Sequence, residues 1–268
     1  MADAVLADLR PRVEALGAVG LGTILVGDDP ASAGYVRMKH EACAAVGIES
    51  HHQQLPESAT QADVVAAISR FNEDPKVHGM ILQHPVPPGL DYESALLGMD
   101  PDKDADGLHP LNMGRLAMSM PGPVPGTPAA IEAMLAHYGI RVAGSNVVIL
   151  GRGTTLGRPL ALLLSQKRPT ANAAVTVVHT GVPDRYRYTR QAEILIAAAG
   201  VPSIILPEHV KPGAVVVSGG INYEGRRLLP DVDESVAEVA GWITPRLGGV
   251  GPMTVAFLLR NCVEAAER

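Results

Sequence analysis

Two side chains that can do proton chemistry stand four residues apart in a stretch with helical spacing. Tyr35 and Lys39 share one face of the helix predicted over Ala33–Val46, because residues four apart lie one above another on a helix. A partly buried lysine amine can have its pKa lowered enough to activate water and move protons. A surface lysine beside a half-buried tyrosine is the alternative interpretation, and the two residues alone do not exclude it.

A glutamine and a pair of carboxylates add to this chemistry. Gln83 ends a predicted strand, and ligands usually bind at the carboxyl ends of parallel strands. The loop Lys103-Asp104-Ala105-Asp106-Gly107 could bind a cation, cap a helix or accept hydrogen bonds from a polar heterocycle. A metal ion needs more ligands than this loop supplies, and a solvated loop is the remaining alternative.

A glycine-rich turn with the features of a dinucleotide site follows the apolar run Val147–Leu150. Gly151, Gly153 and Gly157 stand in the pattern G-x-G-x-x-x-G, which is one residue longer than the common fingerprint. Glycines between a strand and a helix let the backbone approach a phosphate at the helix N-terminus. An ordinary tight turn would show the same pattern.

The residues after the next strand indicate which dinucleotide such a turn would take. The predicted strand Ala174–Val178 ends in His179 and Thr180, without the acidic residue that would hold a ribose 2′-hydroxyl. Arg152 lies in the preceding glycine turn, and together with the Thr180 hydroxyl it could meet a 2′-phosphate. The sequence therefore predicts NADP rather than NAD.

A second glycine-rich stretch runs from Gly248 to Thr254 and leads into the last predicted helix. Three glycines in four residues permit a ligand to approach the backbone closely. A flexible connector would have the same composition, so this stretch is a candidate ligand loop on the sequence alone.

The elements that must position these residues alternate between short apolar runs and longer stretches of helical spacing. The predicted strands are Leu21–Val26, Gly79–Gln83, Asn146–Leu150, Ala174–Val178, Ile194–Ala198 and Ala214–Val217. The predicted helices are Ala33–Val46, Gln61–Asn72, Ala129–Tyr138, Leu156–Gln166, Glu234–Val239 and Met253–Glu267. Near-continuous aliphatic strands that alternate with helices predict an α/β fold with parallel sheets buried on both faces.

Length and composition set the number of domains and exclude several protein classes. The 268 residues suggest two domains, and 47% hydrophobic with 19% charged residues excludes a disordered chain. The net charge of −6 without a basic cluster argues against nucleic acid or an anionic membrane as partner. No uncharged apolar run approaches the ~20 residues of a membrane span, and no signal-peptide pattern opens the chain. Because Cys43 and Cys262 are too few for a disulfide framework, we expect a cytoplasmic protein.

A proline-rich stretch marks the predicted domain boundary. Pro121–Pro128 has four prolines in eight residues, which excludes a helix across it and suits a stiff hinge. Thr127 and Pro128 then supply an N-cap and a first-turn proline for the next helix. We expect domains over residues 1–122 and 123–251, with residues 252–268 packing back on the first.

These stretches, taken in order, resemble the methylenetetrahydrofolate dehydrogenase/cyclohydrolase family, the bifunctional FolD-type proteins. The resemblance covers nearly the whole chain. It is carried by Val26–Ser32, Tyr35, Val36 and Lys39, Gln83 and Pro85, Lys103–Gly107, Asn112, Gly114–Leu116, Thr127 and Pro128, Gly151 and Arg152, Gly220–Asn222, and Gly248–Thr254.

The resemblance implies an N-terminal α/β domain, a Rossmann-type NADP-binding domain with a parallel sheet, and a homodimer. It also implies two reactions on a small-molecule folate substrate, in one-carbon metabolism and purine biosynthesis. The first is NADP-dependent oxidation of methylenetetrahydrofolate to methenyltetrahydrofolate. The second is hydrolysis of that product to formyltetrahydrofolate. No metal is implied.

The resemblance further assigns roles to single residues. Lys39 would be the principal catalytic residue, tuned by Gln83, while Tyr35 would stack on the aminobenzoyl ring and Asp106 would accept hydrogen bonds from the pteridine. The remaining implied substrate contacts are Gly249 and Pro252. The implied cofactor contacts are Gly151, Arg152, Gly153, Thr180 and Ile221.

The chain also departs from the family pattern. The departures are Gly126 for Cys, Gly153 for Ser, Thr180 for Ser, Ser218 for Asp, Pro230 for Gly, and Arg246-Leu247 for Val-Pro. They motivate a second hypothesis, a divergent paralogue with one activity or a modified substrate. Two further hypotheses stay open: a non-catalytic binding protein on the same fold, and an amino-acid-dehydrogenase-like oxidoreductase, which only the dinucleotide turn supports.

Overall fold

The computed structural model describes residues 1–224 and 227–268, and the chain divides into two compact units. The first unit consists of Met1–Gly126 together with Val255–Arg268, and the second unit consists of Thr127–Thr254. The chain therefore leaves the first unit, forms the second without interruption, and returns to the first with its last helix.

The first unit has a three-stranded parallel sheet in the order β2-β1-β3, covered by helices on both faces. Its elements are α1 (Ala2–Leu16), β1 (Gly20–Val26), α2 (Pro30–Val46), β2 (Glu49–Leu55), α3 (Gln61–Glu73), β3 (Gly79–Leu82), α4 (Tyr92–Leu96), α5 (Pro110–Ala117) and most of the last helix. Alternate residues of the central strand enter two separate clusters. Ile24 packs among α3 and α4, whereas Leu21 packs among α1, α2 and the last helix.

The second unit has a five-stranded parallel sheet in the order β10-β7-β6-β4-β5, and an antiparallel hairpin of β8 and β9. Its elements are α6 (Gly126–His137), β4 (Asn146–Leu150), α7 (Gly157–Leu164), β5 (Ala174–Val178), α8 (Tyr186–Thr189), β6 (Ile194–Ala197), β7 (Val215–Ser218), β8 (Ile221–Glu224), β9 (Arg227–Pro230) and β10 (Trp242–Ile243). Short 3₁₀ turns lie at Pro207–His209 and Glu234–Glu238, and α9 (Val250–Ala266) begins in this unit.

The predicted α/β class with parallel sheets is confirmed, and each of the six predicted strands is present to within one residue at either end. Strand β2 was not predicted, because its sequence Glu-Ser-His-His-Gln-Gln-Leu lacks an apolar pattern and it pairs at the sheet edge with β1 alone. Helix α5 was not predicted either.

Two predictions about helices are wrong. Residues Glu234–Glu238 form a 3₁₀ turn capped by Asp233, whose carboxylate accepts from the Ser235 backbone N–H at 3.0 Å. Helix α6 begins at Gly126, so the proline-rich stretch is helical at its end. Pro128 is accommodated there because a first-turn residue has no intrahelical partner for its backbone N–H.

Candidate active site

A buried hydrogen bond joins the two residues that the sequence singles out most strongly. Lys39 Nζ donates to Gln83 Oε1 at 3.1 Å, and the two residues are only 6% and 8% exposed. Gln83 Nε2 donates to the His84 carbonyl oxygen at 2.8 Å. That second bond fixes which end of the amide faces Lys39, so the amine meets an acceptor and not a donor.

The sheet and its neighbouring helix place these two side chains. Asp29 caps α2 by accepting from the Ser32 backbone N–H at 2.8 Å. Three apolar residues of α2, Val36, Cys43 and Val46, are buried, which fixes the rotation of the helix that carries Lys39. Gln83 continues the ladder past β3, since its backbone N–H donates to the Ile24 carbonyl at 2.8 Å.

Burial disfavours the charged forms of both Lys39 and Asp106. Burial lowers the pKa of the Lys39 amine, against the opposing effect of the Asp106 carboxylate. Burial likewise raises the pKa of Asp106, against the opposing effect of Lys39. The consequence is an amine that reaches its neutral, proton-accepting form at a lower pH than an ordinary lysine.

The Lys103–Gly107 loop is anchored by the residues on both sides of Asp106. Lys103 Nζ donates to three carbonyl oxygens at the end of α3, those of Phe71, Asn72 and Asp74, at 2.8–3.0 Å. Asp104 is 2% exposed, and its Oδ2 accepts from the His109 backbone N–H at 2.8 Å and from Asn112 Nδ2 at 2.9 Å. Asp104 Oδ2 therefore holds the turn into α5.

The last helix and a close backbone approach complete this anchoring. Asn261 Nδ2, 3% exposed, donates to the Ala105 carbonyl and to the Val124 carbonyl, both at 2.9 Å. Gly107 has φ +69°, and a Cβ there would lie 2.7 Å from the Pro125 nitrogen. Among the described residues, none donates a hydrogen bond to the Asp106 carboxylate. The Asp106 carboxylate can therefore accept hydrogen bonds from a ligand.

The other predicted substrate residues are placed within their own units. Tyr35 is partly buried on α2, one turn before Lys39. Gly249 and Pro252 belong to the second unit, at the start of α9. Gly249 cannot carry a side chain without displacing the Pro245 carbonyl, and Pro252 lies in the first helical turn.

The glycine turn after β4 is built by close contacts between backbones. Gly151 has φ +130°, and a Cβ there would overlap the Ala198 carbonyl oxygen at the end of β6. A Cβ at Gly157, the first residue of α7, would overlap the Gly151 carbonyl oxygen. Both positions require glycine, whereas a Cβ at Gly153 meets nothing within 4 Å. This cradle fits a dinucleotide phosphate, because backbone N–H groups and a helix N-terminus are brought together.

Arg152 and Thr180 lie at matching positions just after the neighbouring strands β4 and β5. Leu150 pairs with Val178 in the parallel β4–β5 ladder, and each of the two residues follows its strand by two positions. Both side chains are exposed. Within the described part of the second unit, Arg152 makes no ion pair and no side-chain hydrogen bond, so its guanidinium is available to an anion.

Asp231 is a structural residue of this region that the sequence did not reveal. It is fully buried, and its carboxylate accepts from the backbone N–H groups of Ala199, Gly200 and Val201 at 2.6, 3.0 and 2.8 Å. Burial raises the pKa of Asp231, against the effect of these three donors. It fixes the loop after β6, and Ile221 follows directly after the turn that Asp231 packs against.

Two of the departures from the family pattern also have partners. Arg246 pairs with Glu234, with Nε and Oε1 2.9 Å apart. Ser218 donates its backbone N–H to Thr244 Oγ1 at 2.9 Å.

Within residues 1–224 and 227–268, no helix is long and apolar enough to cross a membrane. The same residues contain no group of three or more His, Cys, Asp or Glu side chains suited to a metal ion.

Comparisons with known proteins agree across the whole chain. The tetrahydrofolate dehydrogenase/cyclohydrolase catalytic-domain model matches residues 1–106, and the model of that family's NAD(P)-binding domain matches residues 125–268. The bifunctional protein FolD 1 of Salinispora tropica is 60% identical over 100% of this chain and 89% of its own length. The bifunctional protein FolD of Syntrophotalea carbinolica is 60% identical over 100% of this chain and 93% of its own.

Solved structures indicate the same family. The FolD enzyme of Campylobacter jejuni superposes with a TM-score of 0.93 at 38% identity, covering 99% of this chain and 95% of that one. The Trypanosoma brucei dehydrogenase-cyclohydrolase, solved with NADP and an inhibitor, has a TM-score of 0.93 at 36% identity, covering 100% and 95%. The chain belongs to the tetrahydrofolate dehydrogenase/cyclohydrolase family.

Proposed function

We propose that this chain is a bifunctional folate enzyme with both activities of its family. It oxidises methylenetetrahydrofolate to methenyltetrahydrofolate with NADP, and it hydrolyses the methenyl compound to formyltetrahydrofolate. The observation that carries the proposal is the buried Lys39–Gln83 hydrogen bond beside Asp106, in a chain 60% identical to bifunctional relatives.

The cofactor site is assigned to the second unit. NADP, when bound, supplies the acceptor for the hydride that leaves the methylene carbon. The backbone around Gly151 and Gly153 would hold its phosphates, Arg152 and Thr180 would hold the 2′-phosphate, and Ile221 would line the site. The chain contributes position rather than acid–base chemistry to this step, because hydride transfer depends on aligning the two reacting rings.

The hydrolysis is assigned to the first unit. A water molecule adds to the methenyl carbon, and the neutral Lys39 amine accepts a proton from it. Gln83 holds the amine in place through Oε1, and burial keeps the neutral form accessible. Asp106 accepts hydrogen bonds from the pteridine, Tyr35 stacks on the aminobenzoyl ring, and Gly249 and Pro252 contact the substrate.

The same assignment extends to the roles of the two domains, the oligomeric state and the cellular compartment. We assign folate chemistry to residues 1–122 with the helix of 252–268, and NADP binding to residues 123–251. The enzyme works as a homodimer in the cytoplasm and feeds purine biosynthesis with formyl groups. The two cysteines, free and buried, suit a reducing compartment.

A spectrophotometric assay tests the proposal. Purified protein is mixed with methylenetetrahydrofolate and either NADP or NAD, and absorbance follows the reduced cofactor and the methenyl intermediate. Added methenyltetrahydrofolate measures hydrolysis separately. We expect both reactions, with NADP preferred. Cofactor reduction without methenyl hydrolysis would indicate a paralogue with one activity, and the absence of both would indicate a binding protein.

A further inference from the structure

Asp231 is a buried carboxylate that takes no part in the proposed chemistry. It comes directly after β9, and its side chain is out of contact with solvent. Its two oxygens accept from three successive backbone N–H groups, those of Ala199, Gly200 and Val201, at 2.6, 3.0 and 2.8 Å. A buried carboxylate is stable only where donors surround it, so the position of Asp231 and the shape of this loop depend on each other.

The loop after β6 has the form of an anion-binding concavity. Successive N–H groups around a left-handed residue converge on one point, and Gly200 is that residue, with φ +66°. Such a concavity here lies at the carboxyl end of a parallel strand, on the edge of the sheet where dinucleotides bind. Asp231 is the anion inside it. The three N–H groups are therefore occupied and are not available to a phosphate of the cofactor.

This loop is also one wall of the glycine turn after β4. Ala198 directly precedes it, and the Ala198 N–H donates to the Leu150 carbonyl at 2.7 Å. A Cβ on Gly151 would overlap the Ala198 carbonyl oxygen, so the two backbones touch with no space between them. Any shift of the loop that begins at Ala199 would therefore move the wall against which the turn is packed.

Asp231 is in contact with the loop after β7 as well. A Cβ at Gly220 would overlap the Asp231 carboxylate. The backbone N–H groups of Gly219 and Gly220 both donate to the Ala197 carbonyl at 2.9 Å, and the next residue is Ile221, which we assign to the cofactor site. One buried side chain therefore holds the loop after β6 and packs against the loop after β7.

We propose that Asp231 is a positioning residue for NADP, whose carboxylate holds these two loops in the conformation that binds the cofactor. The inference rests on the proposed function and adds a residue that acts through the backbone. Without the carboxylate, only a fraction of the molecules has the binding conformation, and the apparent affinity falls by that fraction. Bound NADP selects the same conformation, so hydride transfer at saturating NADP keeps its rate. Asp231 therefore acts on the KM for NADP and not on kcat.

Asp231→Asn tests this inference. Asparagine keeps the shape of the side chain but replaces one accepting oxygen by an NH2 donor, so at least one N–H of the loop loses its acceptor. The matched control is Asp233→Asn. The Asp233 carboxylate also accepts three hydrogen bonds, from the N–H and hydroxyl of Ser235 and from the Ser203 hydroxyl, but it caps the 3₁₀ turn at Glu234–Glu238.

The proteins are compared with and without the cofactor. Amide hydrogen exchange of Ala199–Val201 is followed by mass spectrometry in the absence of NADP, and NADP binding is titrated by calorimetry. The spectrophotometric assay gives the KM for NADP and the kcat of both reactions. In Asp231→Asn we expect faster exchange in the loop, and NADP binding and KM weakened about tenfold, as for the loss of one hydrogen bond to a charged group. The kcat values, and every value of Asp233→Asn, should match the wild type.

Several results would overturn the inference and leave the proposed function intact. These are unchanged NADP affinity in folded Asp231→Asn, unchanged exchange in the loop, or a parallel fall of both kcat values. If Asp231→Asn does not fold, Gly220→Ala replaces it, because the added Cβ displaces the carboxylate but keeps its charge. It should give the same pattern, and failure of both variants to fold would make Asp231 a residue of the fold alone. A wild type that does not bind NADP overturns the proposed function too.

Discussion

The proposed ligand sites of the two units are built from different parts of the chain. In the first unit, the site consists of side chains, with a buried amine bonded to an amide and a carboxylate held nearby by an anchored loop. In the second unit, the site consists mainly of backbone, with a glycine turn packed against the end of a neighbouring strand. Its charged contribution, Arg152, is exposed.

This difference bears on how well each proposed site tolerates substitution. A backbone N–H is present whatever the side chain, so a backbone-built site keeps its main interactions through substitution. A buried proton acceptor has no such tolerance, because its chemistry depends on one side chain type. The first unit keeps Lys39, Gln83 and Asp106. The departures fall in both units: Gly126 belongs to the first, and Gly153, Thr180, Ser218, Pro230, Arg246 and Leu247 belong to the second.

The sharpest test of the comparison is Lys39→Met. Removing the proton acceptor should lower the hydrolysis rate by about 10²–10⁴-fold while the protein stays folded. Lys76→Met is the matched control, because Lys76 is exposed in the same unit. Rates are read from the loss of methenyl absorbance, and folding from circular dichroism. Normal hydrolysis by a folded Lys39→Met protein would remove this residue from the mechanism.

The pH dependence of the wild type bears on the same residue. Burial lowers the pKa of Lys39 below its ordinary value of 10.5, so the neutral amine is available at lower pH. Hydrolysis should therefore rise with pH through that lowered pKa and fall as the amine becomes protonated below it. A rate that declines as pH rises would contradict this assignment.

Asp106→Ala should have the next largest effect. Loss of a charge-assisted hydrogen bond costs about 1.5–3 kcal/mol, so folate should bind about tenfold to a hundredfold more weakly. NADP binding should barely change. The control is Asp102→Ala, whose exposed carboxylate pairs with Arg115 and Arg268 at the surface. Titrations with folate and with NADP test this prediction. An equal loss of affinity for both ligands would indicate a folding defect.

Arg152→Ala tests the charged side chain that we assign to the NADP site of the second unit. A guanidinium–phosphate contact is worth about 1.5–3 kcal/mol, or about tenfold to a hundredfold preference for NADP over NAD. The variant should lose most of that preference through weaker NADP binding alone. Arg158→Ala, an exposed arginine at the start of α7, is the control. Equal affinities in the wild type, or an unchanged ratio in the variant, would exclude Arg152 from the site.

Gly153→Ser should give the smallest effect, and in the opposite direction. A Cβ at Gly153 meets nothing within 4 Å, so serine can add a hydroxyl to the phosphate cradle. One neutral hydrogen bond contributes about 0.5–1.5 kcal/mol, which means about twofold to tenfold tighter NADP binding. Gly151→Ser is the contrasting variant. Its Cβ would overlap the Ala198 carbonyl at φ +130°, so it should lower the melting temperature and weaken NADP binding.

The sequence predicted what local patterns determine. The aliphatic strands and the shared face of Tyr35 and Lys39 follow from periodicity. The 3.1 Å hydrogen bond between Lys39 and Gln83 agrees with the pairing of these residues that the family resemblance implies. The edge strand β2 escaped prediction because a strand paired on one side can be polar along most of its length.

The anchors of Asp106 could not be predicted, because they join residues far apart in the chain. Asn261 donates a hydrogen bond to the carbonyl of Ala105, 156 positions away, and no pattern in either segment predicts it. The same holds for Lys103, which caps a helix that ended thirty positions earlier, and for Asp231 beneath the loop after β6. The family resemblance singled out Asp106, but no sequence pattern indicated the residues that anchor its loop.

The return of the last helix to the first unit has a consequence for synthesis of the chain on the ribosome. Leu258, Leu259 and Cys262 complete the core around Leu21 and Ile81, and Asn261 tethers the Asp106 loop. These residues emerge only after all of Thr127–Thr254 has been made, on the order of ten seconds later at about 5–20 residues per second. Until then, that face of the first unit's sheet is covered by α1 and α2 alone, while the second unit can already fold. The tether of the Asp106 loop is therefore completed last.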